Sequence, residues 1–278
     1  MFTVNRVFPG VAHITDAMGV SMTLIGGEEE ALLFDAGYGT EDVRAFAGTL
    51  TDRPVRLLLS HGHHDHILGA RWFESCSLCR EDLEEYRLRT GAAQREAVKG
   101  QAEGKGLSVP EDFLTAPVPE PDPIRFDGFL GPFECREETA GRPGVLAVHV
   151  PGHTPGSVVL YVSEYDLLLT GDNWNPCTWM WFPSSVAATL WRENMKLLIR
   201  ALEEKSGRKI RHVLCSHQPM LRDADELKEF LGWASDERLK AAEPADMGSP
   251  VHTRALRDAD RDWTLIFDRD KLPERLFS

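Results

Sequence analysis

The feature that most constrains this chain is a seven-residue stretch, residues 60–66, with four histidines and one aspartate. It directly follows residues 55–59, an apolar run that predicts a buried strand. Neutral imidazole and carboxylate are the ligands that a borderline divalent ion such as zinc prefers. A solvated loop or an expression tag is disfavoured, because the cluster is internal, is interrupted by glycine and aspartate, and has matching partners later in the chain. The stretch therefore predicts a metal site at the end of a strand.

Three later apolar runs each deliver one histidine or aspartate just past their end. The pairs of run and side chain are residues 145–150 with His153, residues 167–169 with Asp172, and residues 210–215 with His217. Strand ends of one layered sheet structure can converge on one edge. The stretch at 60–66 and these three side chains can therefore form a single site. We expect His149 and His212, inside their strands, to be ordinary strand residues. We expect His64 to point away from the metals.

The charge of the chain limits the classes of partner. The 278 residues carry a net charge of −13, and 42% of them are hydrophobic, enough for a sizeable core. An acidic balance argues against nucleic acid or an anionic membrane surface as the main partner. We therefore expect a small-molecule substrate, with a homodimer left open.

Targeting signals and cysteine usage bear on the compartment. The N-terminus lacks the apolar core of a signal peptide, and no apolar run is long enough to span a bilayer. The five cysteines are an odd number. Together these features predict reduced thiols and a cytoplasmic protein.

The pattern along the chain predicts one main domain, residues 1–235. It carries an insertion at about residues 83–130, which begins charged and helical and ends rich in proline. Whether the insertion is a lid over the site or surface decoration stays open. Residues 236–278 are expected to form a C-terminal extension that packs on the same domain. An earlier helix is predicted over residues 41–50.

Two isolated features receive structural interpretations. Cys76 and Cys79 form a Cys-x-x-Cys pair, but no second pair lies nearby, so we interpret them as strand residues rather than zinc ligands. His13 stands alone in an early strand, and we expect it to be a surface residue.

The order and spacing of the motifs resemble the metallo-β-lactamase superfamily. The matching motifs are His-x-His-x-Asp-His at 61–66, Gly-His-Thr-Pro-Gly at 152–156, Thr-Gly-Asp at 170–172, the late His217, and Phe-Asp-Ala-Gly at 34–37. The resemblance implies an α/β fold, an αββα sandwich of two sheets packed face to face with helices outside. Ser216 departs from the pattern, because many relatives have glycine before the last ligand.

The resemblance also implies a set of metal ligands. They are His61, His63 and His153 for the first ion, Asp65, His66 and His217 for the second, and Asp172 as the bridge between them. Asp35 is expected to order the site through hydrogen bonds. The cofactors implied are two divalent ions, with zinc favoured and iron or manganese as alternatives.

The implied chemistry is hydrolysis. Two ions about 3.5–4 Å apart can share a bridging hydroxide that attacks a carbonyl or phosphorus. Asp65 would be the catalytic residue that orients the hydroxide and shuttles a proton. The expected substrate is a small ester, thioester, lactone or phosphoester. The alternatives are a non-hydrolytic di-iron redox protein, which typically has a carboxylate in place of His63, and a metal-binding regulatory protein.

A tryptophan-rich segment follows the proposed bridging aspartate. Trp174, Trp179 and Trp181 fall within eight residues, and a helix is predicted over residues 186–202. One interpretation has at least one of these indoles forming a wall of the substrate pocket, since pockets are mostly apolar. The other has them packing under the helix or against a partner subunit.

Overall fold

The computed structural model describes residues 1–138 and 143–276. Its strands, in chain order, are β1 (Thr3–Phe8), β2 (Val11–Thr15), β3 (Ser21–Gly26), β4 (Ala31–Phe34), β5 (Val55–Leu58), β6 (Ser77–Cys79), β7 (Asp122–Ile124), β8 (Gly128–Leu130), β9 (Phe133–Glu137), β10 (Val145–His149), β11 (Val158–Val162), β12 (Leu167–Leu169), β13 (Cys177–Met180), β14 (His212–Leu214), β15 (Arg222–Asp223), β16 (Glu243–Pro244), β17 (Thr253–Asp258) and β18 (Trp263–Asp268). Its α-helices are α1 (Val43–Gly48), α2 (His64–Ile67), α3 (Leu83–Arg89), α4 (Ala92–Gly104), α5 (Ala188–Ser206), α6 (Ala224–Trp233) and α7 (Asp236–Ala241).

The described strands form three sheets. The first contains β1 to β7 side by side in chain order. The second has the order β15-β14-β12-β11-β10-β9-β8, and a smaller third sheet has the order β13-β18-β17-β16. In the first sheet, neighbours are antiparallel from β1 to β4 and parallel from β4 to β7. Parallel neighbours direct their carboxyl ends to one edge, which is where the ligand loops begin.

The first two sheets pack face to face. Leu32 and Phe34 of β4 share one buried cluster with Leu160 of β11 and Leu169 of β12. Leu33, between the two β4 residues, belongs instead to a cluster on the other face of the first sheet. This alternation follows from the two-residue period of a strand, and it buries both faces of β4.

Helices cover the outer faces of both sheets. Val43 of α1 packs in the same cluster as Leu57 of β5. On the second sheet, Met195 of α5 and Phe230 of α6 pack in one cluster with Val159 of β11. The order of layers is therefore helix, sheet, sheet, helix, and the expected αββα sandwich is confirmed.

Both predicted helices form, with shifted ends. In α1 the Asp42 side chain accepts a hydrogen bond from the Ala45 N–H, so the helix begins later than expected. Helix α5 extends to Ser206 and ends at Gly207, which has a φ of +67°. The spacing of Leu190, Met195, Leu198 and Leu202 predicts that all four point inward from this helix. The last three are buried, but the prediction is wrong for Leu190, which is 51% exposed.

The segment at 83–130 has two parts. Helices α3 and α4 come first, without a place in any sheet. Strands β7 and β8 then pair with β6 and β9 at the edges of the first and second sheets. The last part of the predicted insertion therefore belongs to the sheets themselves, and only the helical part is an addition to them.

The C-terminal part packs on the core of the second sheet. Strands β17 and β18 form an antiparallel hairpin, and β18 pairs in parallel with β13. Leu265 and Phe267 of β18 share a buried cluster with Phe230 of α6. Across the described residues, no helix combines the length and apolar character needed to cross a membrane.

The surface position expected for His13 is wrong. Its ring is 2% exposed, with Nδ1 2.9 Å from the Thr23 hydroxyl and Nε2 2.9 Å from the Gln218 carbonyl. Both ring nitrogens are thus satisfied inside the protein, which makes burial of a polar side chain tolerable. Cys79 lies in β6 as expected, but Cys76 is buried just before that strand, so the strand prediction is wrong for Cys76.

Candidate metal centre

The structure brings all seven predicted ligand side chains together in two groups. In each group, one ligand atom per residue lies within 4.8 Å of the others; the groups are His61, His63 and His153, and Asp65, His66, Asp172 and His217. The histidine motif follows β5 and runs into α2, which has Asp65 in its first turn. The other three side chains follow β10, β12 and β14, so the convergence of strand ends that the sequence indicated does occur.

Asp172 links the two groups. Its Oδ2 lies 3.1 Å from Nε2 of His217 and 3.4 Å from Nε2 of His66, both in its own group. The same oxygen lies 3.6 Å from Nε2 of His153 in the other group. A carboxylate in this position is placed to contact two neighbouring cations, the role that the resemblance assigns to Asp172.

Buried nitrogen and oxygen atoms without a hydrogen-bond partner are concentrated at the two ligand groups. Nε2 of His61, Nε2 of His66 and Oδ1 of Asp172 are buried without a hydrogen-bond partner. Nδ1 of His63 and Nε2 of His153 face each other at 2.9 Å. Buried polar atoms are normally hydrogen-bonded, so orphans concentrated at one place require an explanation. A nitrogen and oxygen donor set of this kind fits divalent ions.

The electrostatics of the histidines also fit a cation. Burial lowers the pKa of His61 well below its usual value and lowers that of His153 to about 3, so both rings keep a free lone pair at neutral pH. Burial opposes protonation of His66 and His217 as well, but the Asp172 carboxylate raises the pKa of both. The carboxylates of this group thus favour positive charge on or beside its histidines.

Asp35 supports the centre from behind, as the resemblance implies. Its Oδ1 accepts a hydrogen bond from the Ser60 N–H, and its Oδ2 accepts from the Ser60 hydroxyl and from Nδ1 of His66. The Ser60 Oγ also lies 2.9 Å from Nδ1 of His61. Asp35 therefore orients side chains in both groups, one directly and one through Ser60.

A cavity of about 500 Å³ opens onto the two groups. Beyond the ligands, its wall includes Tyr38, Arg89, Gln101, Cys177, Trp179 and Phe182. Arg89 and Gln101 come from α3 and α4, the helical part of the predicted insertion. These helices therefore form part of the cavity wall and are not only surface additions.

The three tryptophans take different positions. Trp179 lines the cavity and is 39% exposed, whereas Trp174 is fully buried and contacts Phe230 edge to face. Trp181 does not line the cavity, but its ring stacks on Phe182, which does, at a centroid distance of 4.6 Å. The predicted wall position thus fits Trp179, and the packing alternative fits Trp174.

Several residues at the site were missed by sequence reasoning. Tyr38 lines the cavity, and its ring meets that of His64 edge-on at 5.6 Å. His64 itself lies outside both ligand groups, as expected, yet it also lines the cavity. The sequence offers one signal for Tyr38: it directly follows Asp35-Ala36-Gly37, a motif that the family resemblance places at the site.

A separate set of potential ligands is already satisfied. Cys79, Glu81 and His149 lie within reach of one another. The Cys79 thiol donates to Glu81 at 2.9 Å, and Nε2 of His149 donates to the Pro155 carbonyl at 2.8 Å. Because these groups have partners within the protein, we assign no ion to them.

Comparison with curated proteins identifies relatives that have named activities. The chain is 27% identical over 207 residues to "Probable metallo-hydrolase YqgX" of Bacillus subtilis (strain 168), covering 69% of this chain and 82% of that relative. It is 27% identical over 166 residues to "Acyl-coenzyme A thioesterase MBLAC2" of Gallus gallus, covering 54% of this chain. The match spans 55% of the second relative, about half its length.

Solved structures share the fold. The sec-alkylsulfatase Pisa1 from Pseudomonas sp. superimposes with a TM-score of 0.59 at 19% identity, over 86% of this chain and 41% of that one. The metallo-beta-lactamase family protein TTHA1429 from Thermus thermophilus gives 0.53 at 21% identity, over 84% and 82% of the two chains. At such identities the likeness extends to the fold alone.

The family is established by a match that runs through the whole ligand set. A family model described as the metallo-beta-lactamase superfamily matches residues 15–217, which include every member of both ligand groups. This span is more than half of the chain, and its αββα layers agree with the fold of the solved relatives. The protein therefore belongs to the metallo-β-lactamase superfamily.

Proposed function

We propose that this protein is a metal-dependent hydrolase with a dinuclear centre, zinc by preference, that cleaves small esters or thioesters. The observation that carries the proposal is the position of Asp172. One oxygen of this carboxylate lies within 3.1–3.6 Å of ring nitrogens from both ligand groups. The first ion would be held by the three-histidine group, and the second by Asp65, His66 and His217.

The residues around the centre have separable tasks. Two divalent ions bound there supply a water of lowered pKa and a positive field for the oxygen under attack. Asp65 is the candidate proton shuttle, with Oδ2 3.6 Å from Nε2 of His66 and 3.6 Å from Nε2 of His217. Burial and the charge of Asp65 raise the pKa of Tyr38, so its hydroxyl keeps its proton and can donate a hydrogen bond to substrate.

The cavity favours a substrate with an apolar acyl group. Trp179 and Phe182 provide an aromatic surface beside the three-histidine group, with the rings of His63 and Phe182 4.6 Å apart. A volume of about 500 Å³ accommodates a small molecule rather than a nucleic acid, in keeping with the net charge of −13. The similarity to an acyl-coenzyme A thioesterase supports the choice of esters and thioesters over phosphodiesters.

The test combines metal analysis with a substrate panel. We expect about two divalent ions per chain after native purification, and hydrolysis of thioesters or esters that a chelator abolishes and zinc restores. The double variant His61→Ala with His63→Ala should lose both metal and activity. The panel also contains a lactone, a β-lactam and a phosphodiester.

Three outcomes would contradict the proposal. They are metal content near zero that added ions do not restore, turnover that a chelator leaves unchanged, and no turnover on any substrate of the panel. Iron content together with reduction of oxygen instead of hydrolysis would favour the di-iron redox alternative.

A further inference from the structure

Asp82 is a fully buried carboxylate that joins two separate loops of the metal centre. It ends a short 3₁₀ helix, Arg80–Asp82. Its Oδ2 accepts hydrogen bonds from the Gly62 N–H at 2.9 Å and the Thr154 hydroxyl at 2.6 Å. Its Oδ1 accepts from the Gly156 N–H at 2.6 Å. Three donors thus surround a side chain that neither ligand group includes.

The donors have one property in common: they flank the three-histidine group. Gly62 lies between His61 and His63, and Thr154 directly follows His153. These two loops leave different sheets, since the first follows β5 and the second follows β10. One carboxylate therefore fixes the loops relative to each other at the point where their histidines must meet.

The loops approach Asp82 too closely to tolerate other residues. A Cβ atom on Gly156 would lie 2.6 Å from Oδ1 of Asp82, and one on Gly62 would lie 3.0 Å from its carbonyl oxygen. Both distances are below normal contact, so glycine is needed at each position. The two loops are therefore packed closely against Asp82, which restricts their movement, as pre-organisation of a ligand group requires.

A second contact reaches the same group from the same segment. Glu85, one turn of chain beyond Asp82, places Oε1 3.5 Å from Nε2 of His63, the ring nitrogen that faces away from His153. The Arg89 guanidinium holds this carboxylate, with Nε 2.7 Å from the same oxygen. Residues 82–89 thus support the three-histidine group from outside it.

We propose that Asp82 is a positioning residue for the three-histidine group, and that it governs the affinity of one of the two ions. The inference rests on the proposed dinuclear site. It differs from the role of Asp35, which contacts His66 directly and His61 through Ser60 and so serves both groups.

The variant Asp82→Asn tests the proposal, because asparagine keeps the shape but has one acceptor oxygen in place of two. At least one of the three donors must then face an N–H group. The matched control is Asp166→Asn: Asp166 is also buried and accepts from the Tyr161 hydroxyl, but it precedes β12 at the end opposite Asp172. Each full-length protein is stripped with a chelator and titrated with Zn²⁺ and Co²⁺ against a competing indicator.

We expect Asp82→Asn to lower the binding affinity for one ion by roughly 10–100-fold. Its affinity for the other ion should stay within about threefold of the wild-type value. Its titration should resemble that of His153→Ala and differ from that of His217→Ala. Asp166→Asn should bind both ions as the wild type does, even where it lowers the thermal midpoint. Asp35→Asn should weaken both ions.

The proposal is overturned if Asp82→Asn binds both ions with wild-type affinity, or if its affinity for both ions falls to the same extent. Should that variant fail to fold, Thr154→Val removes one donor to Asp82, and Ser157→Ala serves as its control because Ser157 contacts Thr154 but not Asp82. Equal metal binding by these two variants would again overturn it. A wild-type protein that binds no ion would instead refute the proposed function itself.

Discussion

Nδ1 of His66 lies 2.9 Å from Oδ2 of Asp35, and both side chains are shielded from solvent. A carboxylate only accepts hydrogen bonds, so Nδ1 must carry the hydrogen of this contact. In the neutral ring, Nε2 is then left as a lone pair directed at the centre. This contact selects the tautomer that can bind a metal ion.

The variant Asp35→Asn should therefore lose metal affinity by roughly 10–100-fold. Asparagine tolerates the φ of +69° found at Asp35, but it offers one acceptor oxygen where Ser60 and His66 together need three hydrogen bonds. The measurement is competition with a chelating indicator. The control is Asp262→Asn, an exposed turn residue with a φ of +55°, which should bind metal normally. Equal affinity in both variants would refute the role of Asp35.

Replacing Trp179 by alanine should change the choice of substrate. The exposed indole lines the cavity, so its loss should lower kcat/KM roughly tenfold, about 1.4 kcal/mol, for thioesters with a phenylacetyl group. Acetyl thioesters should change by less than about threefold, with metal content retained. A uniform loss across both substrates would instead indicate that the substitution displaces the backbone carbonyl of residue 179, which lies 2.6 Å from Nδ1 of His153.

Replacing Trp174 by alanine should act on stability, since the indole is fully buried against Phe230. Removing a buried tryptophan side chain costs about 3–5 kcal/mol of unfolding free energy. Urea unfolding measures this loss, with Trp179→Ala as the comparison, which should cost much less. If the two variants proved equally stable, the assignment of Trp174 to the core would be wrong.

Alkylation should distinguish Cys177 from the other cysteines. Cys177 is exposed and lines the cavity, whereas Cys76 and Cys215 are buried, and burial raises the pKa of both thiols to about 12. Iodoacetamide at neutral pH should label Cys177 first and reduce turnover of bulky substrates. Peptide mass spectrometry locates the label, and Cys177→Ser should retain activity under the same treatment. Labelling of Cys76 at the same rate would contradict the expected burial.

His13 should make stability depend on pH. Burial lowers the pKa of His13, so the ring is neutral in the folded state, while the unfolded chain binds a proton below about pH 6.5. Because the unfolded state then holds more protons, unfolding free energy falls as pH decreases below 6.5, by up to about 1.4 kcal/mol per pH unit.

The variant His13→Gln removes this titration and should flatten the slope between pH 6.5 and 5. Urea unfolding of both purified proteins across this range measures the difference, in which the other histidines cancel. A slope in His13→Gln as steep as in the wild type would count against the linkage.

The candidate ligand side chains were predictable because they depend on local pattern, whereas their division into two groups came from the family resemblance. An apolar run predicts a strand, and a histidine or aspartate just past its end lies at the sheet edge, wherever the strand pairs. Hydrogen bonds made by Asp82 could not be predicted, because they join residues 20 to 74 positions apart. Burial of His13 likewise depends on the Gln218 carbonyl, 205 positions away.

The three tryptophans show a different limit. The position of Trp179 depends on the strand Cys177–Met180, which the sequence between Pro176 and Pro183 did not predict; Trp174 and Trp181 lie outside that strand. In that strand Cys177 and Trp179 are exposed, while Thr178 and Met180 are buried. A two-residue period thus directs Trp179 to the cavity, and only recognition of the strand would have distinguished it from its neighbours.

The parallel pairing of β13 with β18 places support for the cavity wall in a different part of the chain from the metal ligands. Trp179 lies opposite Ile266, and the Lys271 ammonium donates to the carbonyls of Phe182, Pro183 and Ser185. The cavity wall is thus braced by residues beyond 217, where the family match ends, whereas the metal ligands lie within it. Under the proposed function, changes in the C-terminal hairpin can alter which substrate fits while the cleaving apparatus stays constant. This freedom is confined to side chains, because the β13 backbone contacts a metal ligand through the Trp179 carbonyl, 2.6 Å from Nδ1 of His153.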